Sequence, residues 1–145
     1  VWFPDFANYR RDGYDFDARY DEGLAKHTDK VLYDLLDSHA PIISKELKKL
    51  GDYRKGGNKG FDTAIIRLQE QCYVITSNFA YMTDKNGQPY GWGVAEYSTP
   101  EKFMGAAFTD KVYQREPEES YQLILDHLKK ILPQASMEQI KKILK

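Results

Sequence analysis

Cysteine and histidine, which often serve as nucleophiles and zinc ligands, are few in this 145-residue sequence. There is one cysteine, Cys72, so an intramolecular disulfide is excluded. A nucleophilic thiol or a zinc site would need a nearby histidine, yet His27, His39 and His127 are scattered along the chain without ligand spacing. We therefore interpret Cys72 as a small core residue, and we predict no metal site and no cofactor.

Basic residues are the second group that could do chemistry. The net charge of −1 gives no overall attraction to nucleic acid. The charge is unevenly distributed, because residues 1–40 carry a net −4 and residues 41–70 carry a net +3. A basic segment of this kind either contacts phosphates or forms an ordinary solvated surface.

Apolar periodicity and capping signals predict the helices that would position these residues. A helical stretch covers residues 19–38, and Pro41 follows its end. Its predicted buried stripe consists of Leu24, Val31, Leu32, Leu35 and Leu36, with Thr28 or Asp29 as a cap for its second half. A short helix follows from an N-cap at Ser44 to a stop at Gly51. After a polar loop over residues 52–59, a third helix has the apolar face Phe61, Ala64, Ile65 and Leu68.

The sequence changes from helical to strand periodicity after Gln71. Residues 72–81 and 90–97 are predicted to pair as an antiparallel hairpin with Asn86-Gly87 at its turn. Four tyrosines and one tryptophan lie on or beside the hairpin, namely Tyr73, Tyr81, Tyr90, Trp92 and Tyr97. They either form cross-strand pairs that hold the hairpin together or stack on unpaired bases.

Helix-start signals recur in the last third of the chain. Thr99-Pro100-Glu101 and Glu116-Pro117 each combine a cap with proline at the first helical position, and Ser136 and Gln139 form a capping box. The first 18 residues are aromatic and charged without a clean period, which suggests an arm that packs on another part of the protein.

Together these elements predict an α+β, mainly α fold, a winged helix-turn-helix with an N-terminal aromatic arm and C-terminal helices. The predicted organisation is an arm over residues 1–18, the winged helix-turn-helix over 19–98 and a helical extension over 99–145. Because the chain begins at Val1 and not at methionine, the arm could be the remnant of a longer upstream segment. We see no membrane span and no signal peptide, so we expect a cytoplasmic protein.

In DNA-binding winged helices the third helix enters the major groove and the hairpin tip touches the backbone or the minor groove. The candidate residues on the third helix are Asn58, Lys59, Thr63 and Arg67. Those at the hairpin tip are Lys85 and Gln88. The flanking phosphate contacts are Lys48, Lys49, Arg54 and Lys55. Asp62 and Glu70 lie on or near the same helix and would repel phosphate, so double-stranded DNA and a protein partner both remain candidate ligands.

Three sequence segments resemble the AlkZ-related winged-helix proteins of bacteria. They are residues 19–24, residues 61–71 and residues 87–92, which read RYDEGL, FDTAIIRLQEQ and GQPYGW. The resemblance implies a winged-helix fold and a distant link to the AlkZ and YcaQ DNA glycosylases, which act on alkylated or cross-linked bases.

The resemblance also raises a catalytic hypothesis. Those glycosylases position water with a glutamine–apolar–glutamine or glutamine–apolar–aspartate motif, and Gln69-Glu70-Gln71 is the similar string here, with a charged residue at its centre. On that hypothesis Glu70 is the base. A polar helix end is the simpler interpretation, for which we expect Gln71 on the helix and Glu70 in solvent. Three functions stay open: a non-catalytic nucleic-acid module, a glycosylase relative and a protein-interaction scaffold.

Overall fold

The computed structural model describes residues 2–144, which form a mainly helical α+β protein. The helices are α1 (Phe3–Arg11), α2 (Phe16–Asp21), α3 (His27–His39), α4 (Ser44–Leu50), α5 (Phe61–Glu70), α6 (Pro100–Met104), α7 (Ala106–Val112), α8 (Pro117–Ile131) and α9 (Met137–Ile143). The strands are β1 (Ile42–Ile43), β2 (Ile75–Thr83) and β3 (Pro89–Ser98).

The three strands form one antiparallel sheet in the order β1-β3-β2. The predicted hairpin is confirmed, because β2 pairs with β3 from Ile75 opposite Ser98 to Thr83 opposite Pro89. The first strand begins three residues later than predicted, since Cys72 takes φ +61° in the turn that precedes it. Strand β1 adds a short third strand on the other side of β3, with Ile42 opposite Tyr97. No strand is predicted at Ile42-Ile43 from the sequence, since two residues are too short for a period to be visible.

The main core lies between α3, α4, α5 and the entry to the sheet. Its fully buried members include Leu32, Leu36, Leu47 and Leu68. The predicted apolar face of α5 is confirmed, because Phe61, Ala64, Ile65 and Leu68 are all buried. These helices therefore cover one end of the sheet and leave the outer part of the hairpin in solvent.

The N-terminal and C-terminal parts of the chain pack on each other. Helix α1 lies against α7 and α8, and Ala7 packs in a second cluster with Cys72, Phe108 and Val112. A third cluster joins α8 to α9 through Ile124, Leu125, Ile140 and Leu144. The predicted caps at Thr99, Glu116 and Ser136 are all present, so local sequence sets the starts of α6, α8 and α9.

Several sequence predictions are corrected by the structure. The arm is helical from Phe3, and the predicted helix over 19–38 is two helices separated at residues 22–26, where Gly23 has φ +73°. Leu24 is consequently 52% exposed, and only Leu32 and Leu36 of the predicted stripe are fully buried. The N-cap of α3 is Lys26, and that of α4 is Ile43 where Ser44 was expected.

Within residues 2–144, no helix is long and apolar enough to cross a membrane.

Candidate nucleic-acid interface

The surface predicted to read nucleic acid centres on α5 and the loop that precedes it. Helix α5 begins after Gly60, whose φ of +87° is readily adopted only by glycine. With its apolar face in the core, α5 presents Thr63 and Ile66 to solvent, together with the acids Asp62 and Glu70. The exposed side of α5 is thus mixed in character, with two carboxylates among the predicted contacts.

The lysines of α4 and of the α4–α5 loop form the accessible cationic part of this surface. Lys49, Lys55 and Lys59 are exposed, and within the described residues none of the three forms an ion pair. Lys48 differs, because its Nζ lies 3.0 Å from Asp62 Oδ1 and 4.7 Å from the centre of the Phe61 ring. Lys45 on α4 is likewise exposed and without an ion pair among the described residues, so four lysines are available to phosphates, while Lys48 is partly neutralised.

The loop that carries these lysines is held in shape by its own polar groups. The Asn58 side-chain amide donates to the Gly51 carbonyl at 2.9 Å, and the Asn58 backbone N–H donates to the Asp52 carbonyl at 2.7 Å. Gly57 is required here, since a Cβ atom on it would lie 2.1 Å from the same Asp52 oxygen. Arg54 lies 3.8 Å from Asp52 Oδ1 on the surface. Asn58 thus already has a structural task, which the sequence did not reveal.

Arg67 is engaged inside the protein. Its Nε and Nη2 atoms donate to the two carboxylate oxygens of Asp29 at 2.5 and 2.6 Å, and the Asp29 side chain is only 2% exposed. The hydrogen bonds that Arg67 donates to Asp29 raise the pKa of Arg67. Arg67 therefore links α5 to α3, and its positive charge is largely neutralised by a buried carboxylate.

The hairpin tip carries the remaining two candidates, Lys85 and Gln88, and both are exposed. Asp84 shapes the turn, because its Oδ1 accepts from the backbone N–H groups of Asn86 and Gln88 at 2.8 and 3.0 Å. Gly87 takes φ +77° at the end of this turn. The tip thus presents one lysine on a well-defined loop.

The glutamine string lies where α5 turns into the sheet. The expectation that Gln71 continues the helix is wrong, since α5 ends at Glu70, and the expectation that Glu70 faces solvent is confirmed. The Gln69 amide donates to Thr76 Oγ1 at 3.1 Å, and the Glu70 carbonyl accepts from Arg10 Nε at 2.7 Å. The pockets found among residues 2–144 on α1, α7, α8 and α9 are not lined by this string.

The sequence analysis did not foresee how exposed the hairpin aromatics are. Phe79, Tyr81, Tyr90 and Trp92 are 60%, 61%, 57% and 94% exposed. Among the described residues, the aromatic ring contacts involve none of these four, so the predicted cross-strand aromatic pairs do not form between them. Tyr73 is buried in the core and Tyr97 is packed against it.

Cys72 and the histidines lie apart in the structure, as their sequence positions suggested. Cys72 is buried, while His127 stacks on Trp2 at 3.9 Å between ring centres and His39 bonds to the Leu35 carbonyl. Within residues 2–144, no group of three or more His, Cys, Asp or Glu side chains is placed to hold a metal ion.

We expect Cys72 to react slowly with thiol reagents in the folded protein. Burial raises the pKa of its thiol to about 11, although Arg11 and Arg10 oppose this shift. The thiolate is the reactive form of cysteine. The raised pKa should therefore by itself make disulfide exchange at pH 8 about a hundredfold slower in the folded protein than in the unfolded chain. The rate should then rise about tenfold per pH unit toward that pKa. A native rate at pH 8 equal to that in denaturant would contradict the burial.

These features define a mainly helical α+β protein with a lysine-bearing loop before α5 and an aromatic hairpin beside it. The chain belongs to the AlkZ-related family, whose model matches residues 1–145. The match confirms the family resemblance seen in the sequence. No curated protein and no solved structure matches the chain.

Proposed function

We propose that residues 19–98 form a winged helix-turn-helix and that the protein is a nucleic-acid-associated module without its own catalytic centre. The order α3, β1, α4, α5, β2, β3 and the sheet order β1-β3-β2 are the observations that carry this proposal. A three-helix core closed by a small sheet whose last two strands form a hairpin has the connectivity expected of that fold. Membership of a family related to DNA repair glycosylases further favours DNA as the ligand.

The proposed contacts divide into three groups. Lys49, Lys55 and Lys59 contact phosphates from α4 and the loop, because they are exposed and without ion pairs among the described residues. Thr63 on α5 and Lys85 with Gln88 at the hairpin tip complete the surface. Arg67 and Asn58 position this surface through Asp29 and Gly51, respectively.

For Gln69-Glu70-Gln71 we propose a structural role. Catalysis of N-glycosidic bond hydrolysis needs polar groups that converge on one point in a cleft. The Gln69 amide is occupied by Thr76, and the Glu70 side chain extends into solvent. The string then serves to turn α5 into β2, and the chain acts without hydrolysing the base–sugar bond.

Removal of the three lysines tests the nucleic-acid proposal. Replacement of Lys49, Lys55 and Lys59 together by alanine should weaken binding to a mixed-sequence duplex. It should also make the plot of log association constant against log salt concentration less steep by about 2 to 3, since each phosphate contact contributes roughly 0.9 to the steepness. Fluorescence anisotropy at several salt concentrations measures both quantities. We expect binding by the unaltered protein to be micromolar or weaker at physiological salt.

A matched variant separates a local contact from a general charge effect. Alanine at Lys129, Lys130 and Lys141 removes the same charge from α8 and α9 and should leave the salt slope unchanged. If both triple variants behave alike, α4 and the loop do not form the interface. If the unaltered protein does not bind nucleic acid at all, the protein-interaction scaffold becomes the better explanation.

A further inference from the structure

The hairpin carries a set of aromatic side chains that the fold leaves uncovered. Phe79 and Tyr81 lie on β2 and Tyr90 and Trp92 on β3, and each is more than half exposed. Trp92 is the extreme case at 94%. Phe79 and Tyr81 share one face of β2, whereas Tyr90 pairs with Met82 and so lies on the other face. Scattered single apolar residues on a surface are ordinary, but four large uncovered aromatics on one hairpin are a feature of the kind that marks a binding site. We call these four residues the hairpin aromatics.

The backbone of the hairpin explains why Trp92 projects. Ala80 pairs with Val94 and Met82 pairs with Tyr90, so Tyr81 faces the three residues Gly91, Trp92 and Gly93. Gly91 has φ +73°, a conformation that side-chain-bearing residues rarely adopt. This bulge interrupts the regular pleat at Trp92.

Glycine at position 93 allows the neighbouring rings to approach the strand. A Cβ atom on Gly93 would lie 3.2 Å from Phe79 Cβ and 3.4 Å from Tyr81 Cζ. The Tyr81 ring is therefore supported by bare backbone, while much of its surface stays in solvent. Glycines on both sides of Trp92 likewise leave its indole without neighbouring side chains in sequence.

The surroundings of the hairpin aromatics on β2 are polar and uncharged. The exposed neighbours on this strand are Thr76, Asn78 and Thr83. Strand β2 contains no charged residue, so no acid on it would repel a phosphate backbone, in contrast to Asp62 and Glu70 on α5.

We propose that the hairpin aromatics stack on unpaired bases of single-stranded nucleic acid, an inference that rests on the proposed nucleic-acid function and names its substrate class. Aromatic rings stack on the π face of any base, and cations at such a site contact the phosphate backbone without reading the sequence. Lys85, exposed at the hairpin tip, suits that task. Unpaired bases supply the stacking surface that an intact duplex keeps inside.

The chain contains two tryptophans, Trp2 and Trp92, which permits a direct test. In a Trp2→Phe background, Trp92 is the only indole. We expect a short oligothymidylate to quench its emission on binding, and we expect a duplex of equal length to bind more weakly. Trp92→Ala in the full chain should weaken binding of the oligothymidylate about tenfold, measured by anisotropy.

Phe103 provides a matched control, because it is an aromatic residue on α6 with 57% exposure. Phe103→Ala should leave the affinity for oligothymidylate unchanged. Binding of the duplex with no effect of Trp92→Ala would overturn the stacking inference and leave the proposed function intact. Binding of neither nucleic acid would overturn both. A Trp92 emission that shifts with protein concentration alone would show instead that the hairpin aromatics contact a second copy of the chain.

Discussion

Replacement of Arg11 by methionine should lower the free energy of unfolding by about 3 kcal/mol, since loss of one partner of a buried ion pair typically costs about 3–5 kcal/mol and the Glu101 side chain left behind is 30% exposed. The Arg11 side chain is 2% exposed. Its Nη1 donates to Glu101 Oε1 at 2.6 Å and to the Tyr113 hydroxyl at 2.9 Å, and its Nη2 donates to the Cys72 carbonyl at 2.6 Å. The guanidinium thereby joins α1 to the turn between α5 and β2, to α6 and to the end of α7.

Charge and stacking both contribute to this site. Burial by itself lowers the pKa of Arg11, but the Glu101 carboxylate and the Tyr113 hydroxyl more than compensate and raise it above the ordinary value. The guanidinium carbon also lies 4.7 Å from the centre of the Tyr73 ring. Methionine would restore much of the packing volume but would leave the Glu101 carboxylate without its partner and the Cys72 carbonyl without this donor.

Chemical denaturation of Arg11→Met, with far-UV circular dichroism as the readout, measures the loss. Arg54→Met is the matched control, because Arg54 is 67% exposed and its distance to Asp52 is 3.8 Å. The control should change the free energy of unfolding by less than about 0.5 kcal/mol. If the two variants are equally stable, Arg11 does not hold the N-terminal helix in place.

The second large effect is expected at the contact between α3 and α5. Arg67→Ala should cost about 3 kcal/mol, somewhat less than for a fully enclosed pair because the Arg67 side chain is 26% exposed. The substitution would leave the Asp29 carboxylate, which is 2% exposed, without its bidentate partner. Helix α5 carries part of the proposed interface, so nucleic-acid binding should weaken as a consequence of this destabilisation.

A double-mutant cycle distinguishes the ion pair from simple loss of packing. Asp29→Leu and Arg67→Met should each destabilise the protein, while the double variant should cost clearly less than the sum of the two single variants. The physical reason is that each single variant leaves an unpaired charge and the double variant leaves none. Additive costs would mean that Asp29 and Arg67 contribute independently.

Features that depend on neighbours three or four residues away were predictable from the sequence. The caps of α6, α8 and α9 and the apolar face of α5 follow from local hydrogen bonding and helical period. The hairpin follows from strand alternation on either side of a turn-forming Asn-Gly pair. The family resemblance was legible in the same segments.

Features that depend on distant partners appeared only in the tertiary structure. Strand β1 exists because Ile42 meets Tyr97, and two residues alone carry no periodic signal. From the sequence, Arg67 is predicted to contact bases and Asp29 to cap a helix. The sequence gives no sign that the two residues pair, because they lie 38 positions apart. Residue type did not reveal that Arg11 is buried.

The sequence by itself determined the family and the kind of most elements, although not of helix α1 or strand β1, and it located the lysines and aromatics of the proposed interface. The tertiary structure decided which of those side chains are available. Lys59 and Trp92 extend into solvent, while Arg67 and Asn58 are used in holding the fold. The physical reason is that element type depends on local backbone and side-chain interactions. Whether a long side chain is free or bonded depends instead on which partners folding brings within hydrogen-bond distance.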